Sequence, residues 1–325
     1  MDAAIALRDV TKTFGQTTAV KNLNLEIPYG SLCGFIGPNG AGKTTTIRLI
    51  MSILFPDSGD VSVLGIASAM KAKNRIGYLP EERGVYRKMR VGAFLSYIAS
   101  LKDMSIRDGD QTIRNLLRRV DLRGTERMRC EELSKGMLQK VQFLAAIIHK
   151  PDLLILDEPF SGLDPVSTRV LRDMVLEEHR RGATILFSTH VMAQAEEICQ
   201  HVVMLHKGRK VLDESLTGIR THYDPRTIEF DPVEPGADVS PIAHLSGVTR
   251  VDRNDLGYRI LLADGTDTAE TMHRIIDAVK PARLELARPR LEDVFISIVS
   301  KEGGGTEDTQ GLRAGLSDRI GEATL

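Results

Sequence analysis

The chain opens on alternation. Ile5, Leu7 and Val10, then Val20, Leu23, Leu25 and Ile27, are apolar positions set among polar ones, which predicts a mainly antiparallel edge sheet over residues 3–27. Leu32–Ile36 is a short unbroken apolar run, a strand that leads into a glycine-rich loop and then a helix from about Thr44 to Ile53. Pro56–Asp60 reads as a turn cluster. Mid-chain the period changes. Val91, Phe94, Leu95 and Ile98, and again Ile113, Leu116, Leu117 and Val120, recur at helical spacing and predict two amphipathic helices. They lie between α/β segments, so a helical subdomain inserted at about 88–140 is expected. After Pro151, Leu153–Leu156 is a fully apolar strand and Thr184–Ser188 reads as another buried one, separated by a helix from Ser167 to Arg181 that stops at Gly182. Such strands alternating with helices imply an α/β fold with a parallel sheet covered on both faces. Beyond a main domain at 1–220 the pattern weakens. Strands are expected at Thr227–Phe230, Tyr258–Leu262 and Arg283–Leu286. Met272, Ile275, Ile276 and Val279 share one helix face, and Leu291, Val294, Phe295 and Ile298 another. This predicts a small α+β C-terminal domain at 225–300, followed by a polar tail at 301–325 expected to be disordered.

Composition narrows the class. The chain has 325 residues, enough for one large domain and a small one. A net charge of -1 leaves no basic excess for a nucleic-acid surface. The N-terminus carries Asp2, and Arg8-Asp9 break its short apolar run, so it does not read as a signal peptide. No apolar stretch approaches bilayer-spanning length, so any work at a membrane is expected to run through a partner. Cys33, Cys130 and Cys199 are far apart and lack C-x-x-C spacing, which favours packing residues in a reducing cytosol over disulfides or a zinc site.

The strongest chemical signal is Gly37-Pro38-Asn39-Gly40-Ala41-Gly42-Lys43-Thr44, a G-x-x-x-x-G-K-T loop between a strand and a helix. Its glycines let backbone N–H groups turn inward on phosphate oxygens, and the helix beginning at Thr44 and Thr45 aims its positive end at the same anion. Lys43 adds charge at the β- and γ-phosphates, and the Thr44 hydroxyl can ligate Mg²⁺. The second signal is Leu153–Glu158, an apolar strand with carboxylates at its C-terminal end, where open α/β sheets bind ligands. Asp157 would hold hydrated Mg²⁺, and Glu158 would orient and polarise an attacking water. Two solvated acids are the bland alternative, which loses weight behind a phosphate loop. His190 follows a strand end, and the remaining histidines read as structural.

Further segments occur in a telling order. Phe14 precedes Gly15, Ile76–Glu81 follows the loop, Leu133-Ser134-Lys135-Gly136-Met137 comes next, then Ser161-Gly162-Leu163-Asp164 and Thr189-His190. With these elements spread over about 5–215, the chain resembles the ABC ATPase family, whose signature is usually written LSGGQ. The resemblance implies a RecA-like P-loop NTPase cassette with an antiparallel β subdomain and an inserted helical subdomain. It also implies ATP and Mg²⁺ as ligands and two cassettes that sandwich two ATP molecules head to tail. Each ATP would lie on the phosphate loop of one subunit and under the signature of the other. In that frame Phe14 stacks on adenine, Ser134 and Gly136 receive the opposing γ-phosphate, Asp164 belongs to the D-loop, and His190 senses the γ-phosphate.

Two departures stand out. Glu81 takes the place of the usual Q-loop glutamine as a Mg²⁺ ligand, with Glu82 as the alternative register. Lys135 and Met137 replace a glycine and the glutamine of the signature. These features resemble the branch that serves ABC-2-type permeases, similar to sodium-efflux and daunorubicin-type drug-efflux ATPases, which carries a segment like Leu79–Gly84 and a C-terminal domain ending like Leu291–Phe295. The resemblance therefore implies the ATP-hydrolysing subunit of an exporter. It would sit peripherally on the cytoplasmic face of the inner or plasma membrane, through an ABC-2-type permease, paired with an identical or paralogous cassette. A permease groove is expected beside the helical subdomain, with Tyr86, Arg87, Lys88 and Met89 on its rim. A soluble ABC ATPase acting on ribosomes or DNA is the alternative; such proteins usually join two cassettes or carry a long coiled coil, and this chain has one cassette and no long heptad run. A non-hydrolysing regulatory module would be expected to lack Glu158 or His190.

Overall fold

In the computed structural model, which describes residues 3–82, 84–222, 227–254, 257–263, 265–287 and 290–301, the alternating N-terminal segment forms a hairpin. Its strands are β1 (Ala3–Phe14) and β2 (Thr17–Pro28), paired antiparallel. β3 (Leu32–Ile36) then leads through the glycine-rich loop into α1 (Lys43–Ile50). β4 (Ser58–Val63) joins the free edge of β1 to complete the sheet β2-β1-β4. The Pro56–Asp60 cluster, expected as a turn, thus already enters a strand at Ser58. The reason is Gly59: a Cβ there would lie 2.4 Å from the Arg8 carbonyl, so only glycine lets this strand run against β1.

β5 (Ile76–Leu79) precedes the helical subdomain, which contains α2 (Val91–Leu101), α3 (Ile106–Arg119) and α4 (Lys135–Ile147). The chain then returns to α/β order with β6 (Leu153–Asp157), α5 (Pro165–Arg180), β7 (Thr184–Thr189), α6 (Met192–Ile198) and the hairpin β8 (His201–His206) and β9 (Arg209–Ser215). The six-stranded sheet runs β5-β6-β7-β3-β8-β9, parallel except for the β8–β9 pair. Every position of β3, β6 and β7 is buried, as the central strands of a parallel sheet covered on both faces require. Register decides what this sheet can do. Ile36 pairs with Thr189, and Asp157 pairs with Ser188. The phosphate loop, the Asp157-Glu158 step and His190 therefore leave the same C-terminal edge side by side. None of the described helices is long and apolar enough to cross a membrane.

The chain divides into two compact units, one running to Leu216 and resuming at Phe295, the other Thr217–Val294. α7 (Leu216–His222) begins at the boundary. The second unit holds β10 (Thr227–Pro232), α8 (Ser240–Ala243), β11 (Val248–Arg253), β12 (Tyr258–Leu262), α9 (Thr268–Ala278) and β13 (Pro281–Leu286). Its antiparallel sheet runs β11-β12-β10-β13 over a core that includes Ile228, Phe230, Ile260 and Ile275. α10 (Leu291–Lys301) starts in this unit, but from Phe295 onward it counts with the first, where the buried Phe295 ring meets His206 edge-on. The tail expected to be disordered lies, from residue 302, outside the described residues.

Candidate nucleotide site

The phosphate loop is held shut by backbone. Gly37 and Gly42 have φ of 153° and 103°. A Cβ at Gly37 would sit 2.3 Å from the Leu205 carbonyl, and one at Gly42 2.5 Å from that of Ala19. Side chains are excluded at both positions, which leaves the loop's N–H groups free to crowd one anion. Gly42 is the N-cap of α1 and no side chain caps it, so the first helical N–H groups, at Lys43, Thr44 and Thr45, stay available. Lys43 folds back across the loop, its Nζ donating to the carbonyls of Gly37 at 2.7 Å and Pro38 at 3.2 Å. Burial lowers the Lys43 pKa, while the charges of Glu158, Asp157 and Glu81 pull it back up.

Asp157 closes β6 and is wholly buried. Its Oδ1 accepts from Ser188 Oγ at 2.9 Å, whereas Oδ2 is buried without a hydrogen-bond partner among the described residues. Burial raises its pKa; the Ser188 hydroxyl opposes this, Glu81 and Glu158 reinforce it, and the Thr44 hydroxyl opposes it weakly. An unpartnered, buried carboxylate oxygen beside a threonine hydroxyl is the donor set of a hard cation.

Glu158 is tied down on three sides. Its φ of 51° is unusual for a side-chain-bearing residue and turns the chain sharply after the strand. Its backbone N–H donates to the Ser188 carbonyl at 3.0 Å. Oε1 accepts from the His190 backbone N–H at 2.9 Å and lies 2.6 Å from His190 Nδ1, and Oε2 accepts from Thr189 Oγ1 at 3.3 Å. Facing a carboxylate, Nδ1 carries the hydrogen, which leaves Nε2 of the half-buried imidazole for a ligand.

The two Q-loop candidates separate. Glu82 pairs with Arg48 at 3.2 Å, while the field of Glu81 reaches both Lys43 and Asp157. Phe14 ends β1 as a residue 48% exposed, and Lys12 Nζ lies 5.7 Å from the ring centre, on a side chain anchored by Asp57.

Ser134, Gly136 and Asp164 form a second group. Ser134 is the N-cap of α4, its Oγ accepting from Met137 N–H at 3.2 Å, so its own hydrogen remains to be donated. A Cβ at Gly136 would meet Leu163 Cδ2 at 3.6 Å and the Gly162 carbonyl at 3.8 Å, ordinary contacts that place the signature against the D-loop. Asp164, expected to serve the nucleotide, has its carboxylate occupied in capping α5: it accepts from Ser167 N–H at 2.9 Å and Ser167 Oγ at 2.5 Å, which hold its pKa down. The sequence reading missed Ser188, the Thr189 hydroxyl and Gln139. Gln139 is buried and donates to the Pro159 carbonyl at 3.1 Å, linking α4 to the turn after Glu158. The position of Ser188 and Thr189 at a strand end was the available signal; the pairing of β7 with β6 was not.

Known proteins resemble this chain in sequence and in fold. A sequence model of the family described as ABC transporter matches residues 20–161. The uncharacterised ABC transporter ATP-binding protein YhaQ of Bacillus subtilis (strain 168) is 38% identical over 295 residues, 91% of this chain and 98% of that protein. Nod factor export ATP-binding protein I of Paraburkholderia xenovorans (strain LB400) is 30% identical over 309 residues, covering 93% of this chain and 98% of that protein. Among solved structures, an ATP-binding subunit of an ABC transporter is similar with a TM-score of 0.64 at 31% identity, covering 68% of this chain and 93% of that one.

Proposed function

This chain belongs to the ATP-binding subunits of the ABC transporters, and from that premise we propose that it hydrolyses ATP between two cassettes closed head to tail and so drives an exporter permease. The observation that carries the reading is the Glu158–His190 pair set beside Lys43 and the unpartnered oxygen of Asp157. Lys43 leaves its loop carbonyls for the β- and γ-phosphates. Glu158, fixed by His190 and Thr189, takes the proton of the attacking water at Oε2, the oxygen with the single weaker hydrogen bond. As an imidazolium, with Nδ1–H on Glu158, His190 donates from Nε2 to the γ-phosphate. The partner cassette brings the Ser134 hydroxyl and the α4 N-terminus to the same phosphate. Thr44, Asp157 and Glu81 fit Mg²⁺, which would neutralise charge on the β- and γ-oxygens.

Asp157→Asn tests the cation assignment without relying on turnover. Burial raises the Asp157 pKa, so the folded protein carries an unfavourable charge there that protonation relieves as pH falls. The neutral variant should melt at the same temperature as wild type or higher in the absence of nucleotide. The extra stabilisation that Mg²⁺ gives over ATP alone should be lost. A variant that melts lower, yet keeps the Mg²⁺ increment, contradicts the assignment.

The docking element is the cleft of about 230 Å³ between the helical subdomain and the core, lined among others by Met51, Met70, Tyr78, Phe94 and Ile98. Tyr86, expected on its rim, is exposed and packs edge-on against Phe94 and Tyr97. Such a groove suits a short amphipathic helix. The relative named for Nod factor export, together with the Leu79–Gly84 segment, supports an ABC-2-type permease on the cytoplasmic face of the membrane. Glu81 is flanked in sequence by the cleft residues Pro80 and Gly84, and its charge acts on Lys43 and Asp157 of the phosphate site and on Tyr78 of the cleft. In membranes carrying the permease, Glu81→Gln should keep transport and Glu81→Ala should hydrolyse ATP without it. Equal transport by the alanine variant and wild type would reduce Glu81 to a solvated acid.

A further inference from the structure

The cleft has a polar floor that an apolar helix face alone would leave unsatisfied. Gln142, Ala145, Ala146 and His149 all line it, spaced i, i+3, i+4, i+7 along α4 and the turn that continues it, so they form one stripe. The two central alanines allow close approach. The stripe is firmly seated, because Gly77 of β5 lies directly beneath: a Cβ there would come within 2.1 Å of the Ala146 carbonyl.

Both ends of the stripe carry a buried atom without a partner. Gln142 is only 5% exposed, and its Oε1 has no hydrogen bond among the described residues; nor does His149 Nδ1. The missing partners are of one kind. His149 Nε2 lies 3.1 Å from the Ile76 carbonyl, which can only accept, so Nε2 holds the hydrogen and Nδ1 presents a lone pair. Burial, with Lys102 adding to it, pushes the His149 pKa down to about 4, so the ring is neutral near pH 7. Gln142 Oε1 is likewise an acceptor. Two buried acceptors call for donors, and leaving them bare is costly. The donor's charge is constrained as well. Lys73 and Lys102 line the same cleft, with the Lys102 ammonium fixed on the carbonyls of Ile76 and Lys73. They repel an incoming lysine or arginine.

We propose that the permease helix received by this cleft presents neutral hydrogen-bond donors, the side chains of serine, threonine, asparagine or glutamine, to Gln142 and His149, and that this contact selects the cognate permease. The inference rests on the docking reading above and adds the chemistry of the partner. Its two bare acceptors distinguish the cleft from a general apolar groove, which would accept any greasy helix.

The test uses the full chain in membranes of its host, with a photo-crosslinking residue at Met70, a 64% exposed position on the rim. Mass spectrometry identifies the captured peptide. A cytoplasmic permease helix with serine, threonine, asparagine or glutamine facing the cleft is the expected result. Gln142→Leu should then weaken the complex about tenfold, the effect of one hydrogen bond to a buried group. Its melting temperature should stay equal to wild type or rise, because the substitution removes an unsatisfied atom from the free protein. Replacing the permease donor by leucine should add little to Gln142→Leu. A permease helix that turns only apolar or charged side chains to the cleft overturns the inference but leaves the docking reading intact. So does a Gln142→Leu protein that holds the permease as tightly as wild type, or one that melts lower as it docks more weakly. Crosslinks confined to soluble proteins overturn the docking reading itself.

Discussion

Glu158→Gln is expected to bind ATP, close the cassette pair and stop, with turnover lower by about 10²–10⁴-fold. The amide can still accept from the His190 backbone N–H and from Nδ1, so the shape of the pair survives. What disappears is the ability to take a proton from water. Because the chemical step follows binding and closure, ATP should accumulate in the closed dimer. Phosphate release and the ATP-dependent shift to a dimer in size-exclusion chromatography measure the two parts separately. Near-wild-type phosphate release would remove Glu158 from the role of base.

The second large effect divides the site between two chains. Lys43→Ala removes the cation that spans the Gly37 and Pro38 carbonyls and moderates Asp157, Glu158 and Glu81. ATP binding by the isolated chain should weaken about 10–100-fold, the range of a hydrogen bond to a charged group. Gly136→Asp acts differently. Within its own chain a side chain at this position meets only ordinary contacts beyond 3.6 Å, so the monomer should fold and bind ATP normally. The new carboxylate would instead confront the γ-phosphate on the opposing cassette, and turnover should fall with dimerisation. Equilibrium nucleotide binding on dilute protein separates the variants, and equal binding defects in both would contradict the division.

Much of this was legible along the chain because its strongest signals are local. Leu32–Ile36, Leu153–Leu156 and the Ile185–Phe187 centre of β7 are apolar throughout, and such runs end where a buried sheet edge must place its functional loops. The phosphate loop carries its geometry in its own glycines. Other features depend on who lies next to whom. β11 was not foreseen because it is an edge strand, with Thr249 and Arg250 exposed, and so lacks a clean alternation. The contact between Glu158 and His190 follows from the β6–β7 register, which no short window contains. The pairing of Glu82 with Arg48 of α1, which supports Glu81 as the residue nearer the phosphate site, likewise joins positions far apart in the chain. The capping role of Asp164 is legible locally, since an aspartate before proline with Ser167 three positions on is a helix start.

In the proposed mechanism, hydrolysis needs the phosphate loop of one cassette and the signature of another. Mixing Lys43→Ala with Gly136→Asp tests it most directly. A mixed dimer rebuilds one site from the intact loop of one chain and the intact signature of the other, while its second site carries both defects. With equal amounts and random pairing, half the dimers are mixed, so about a quarter of the wild-type sites should be restored. Native mass spectrometry establishes that mixed dimers form, and phosphate release is measured on the same sample. Activity well above the sum of the two variants alone is expected; mixed dimers present in quantity with no activity beyond that sum would rule out the shared site.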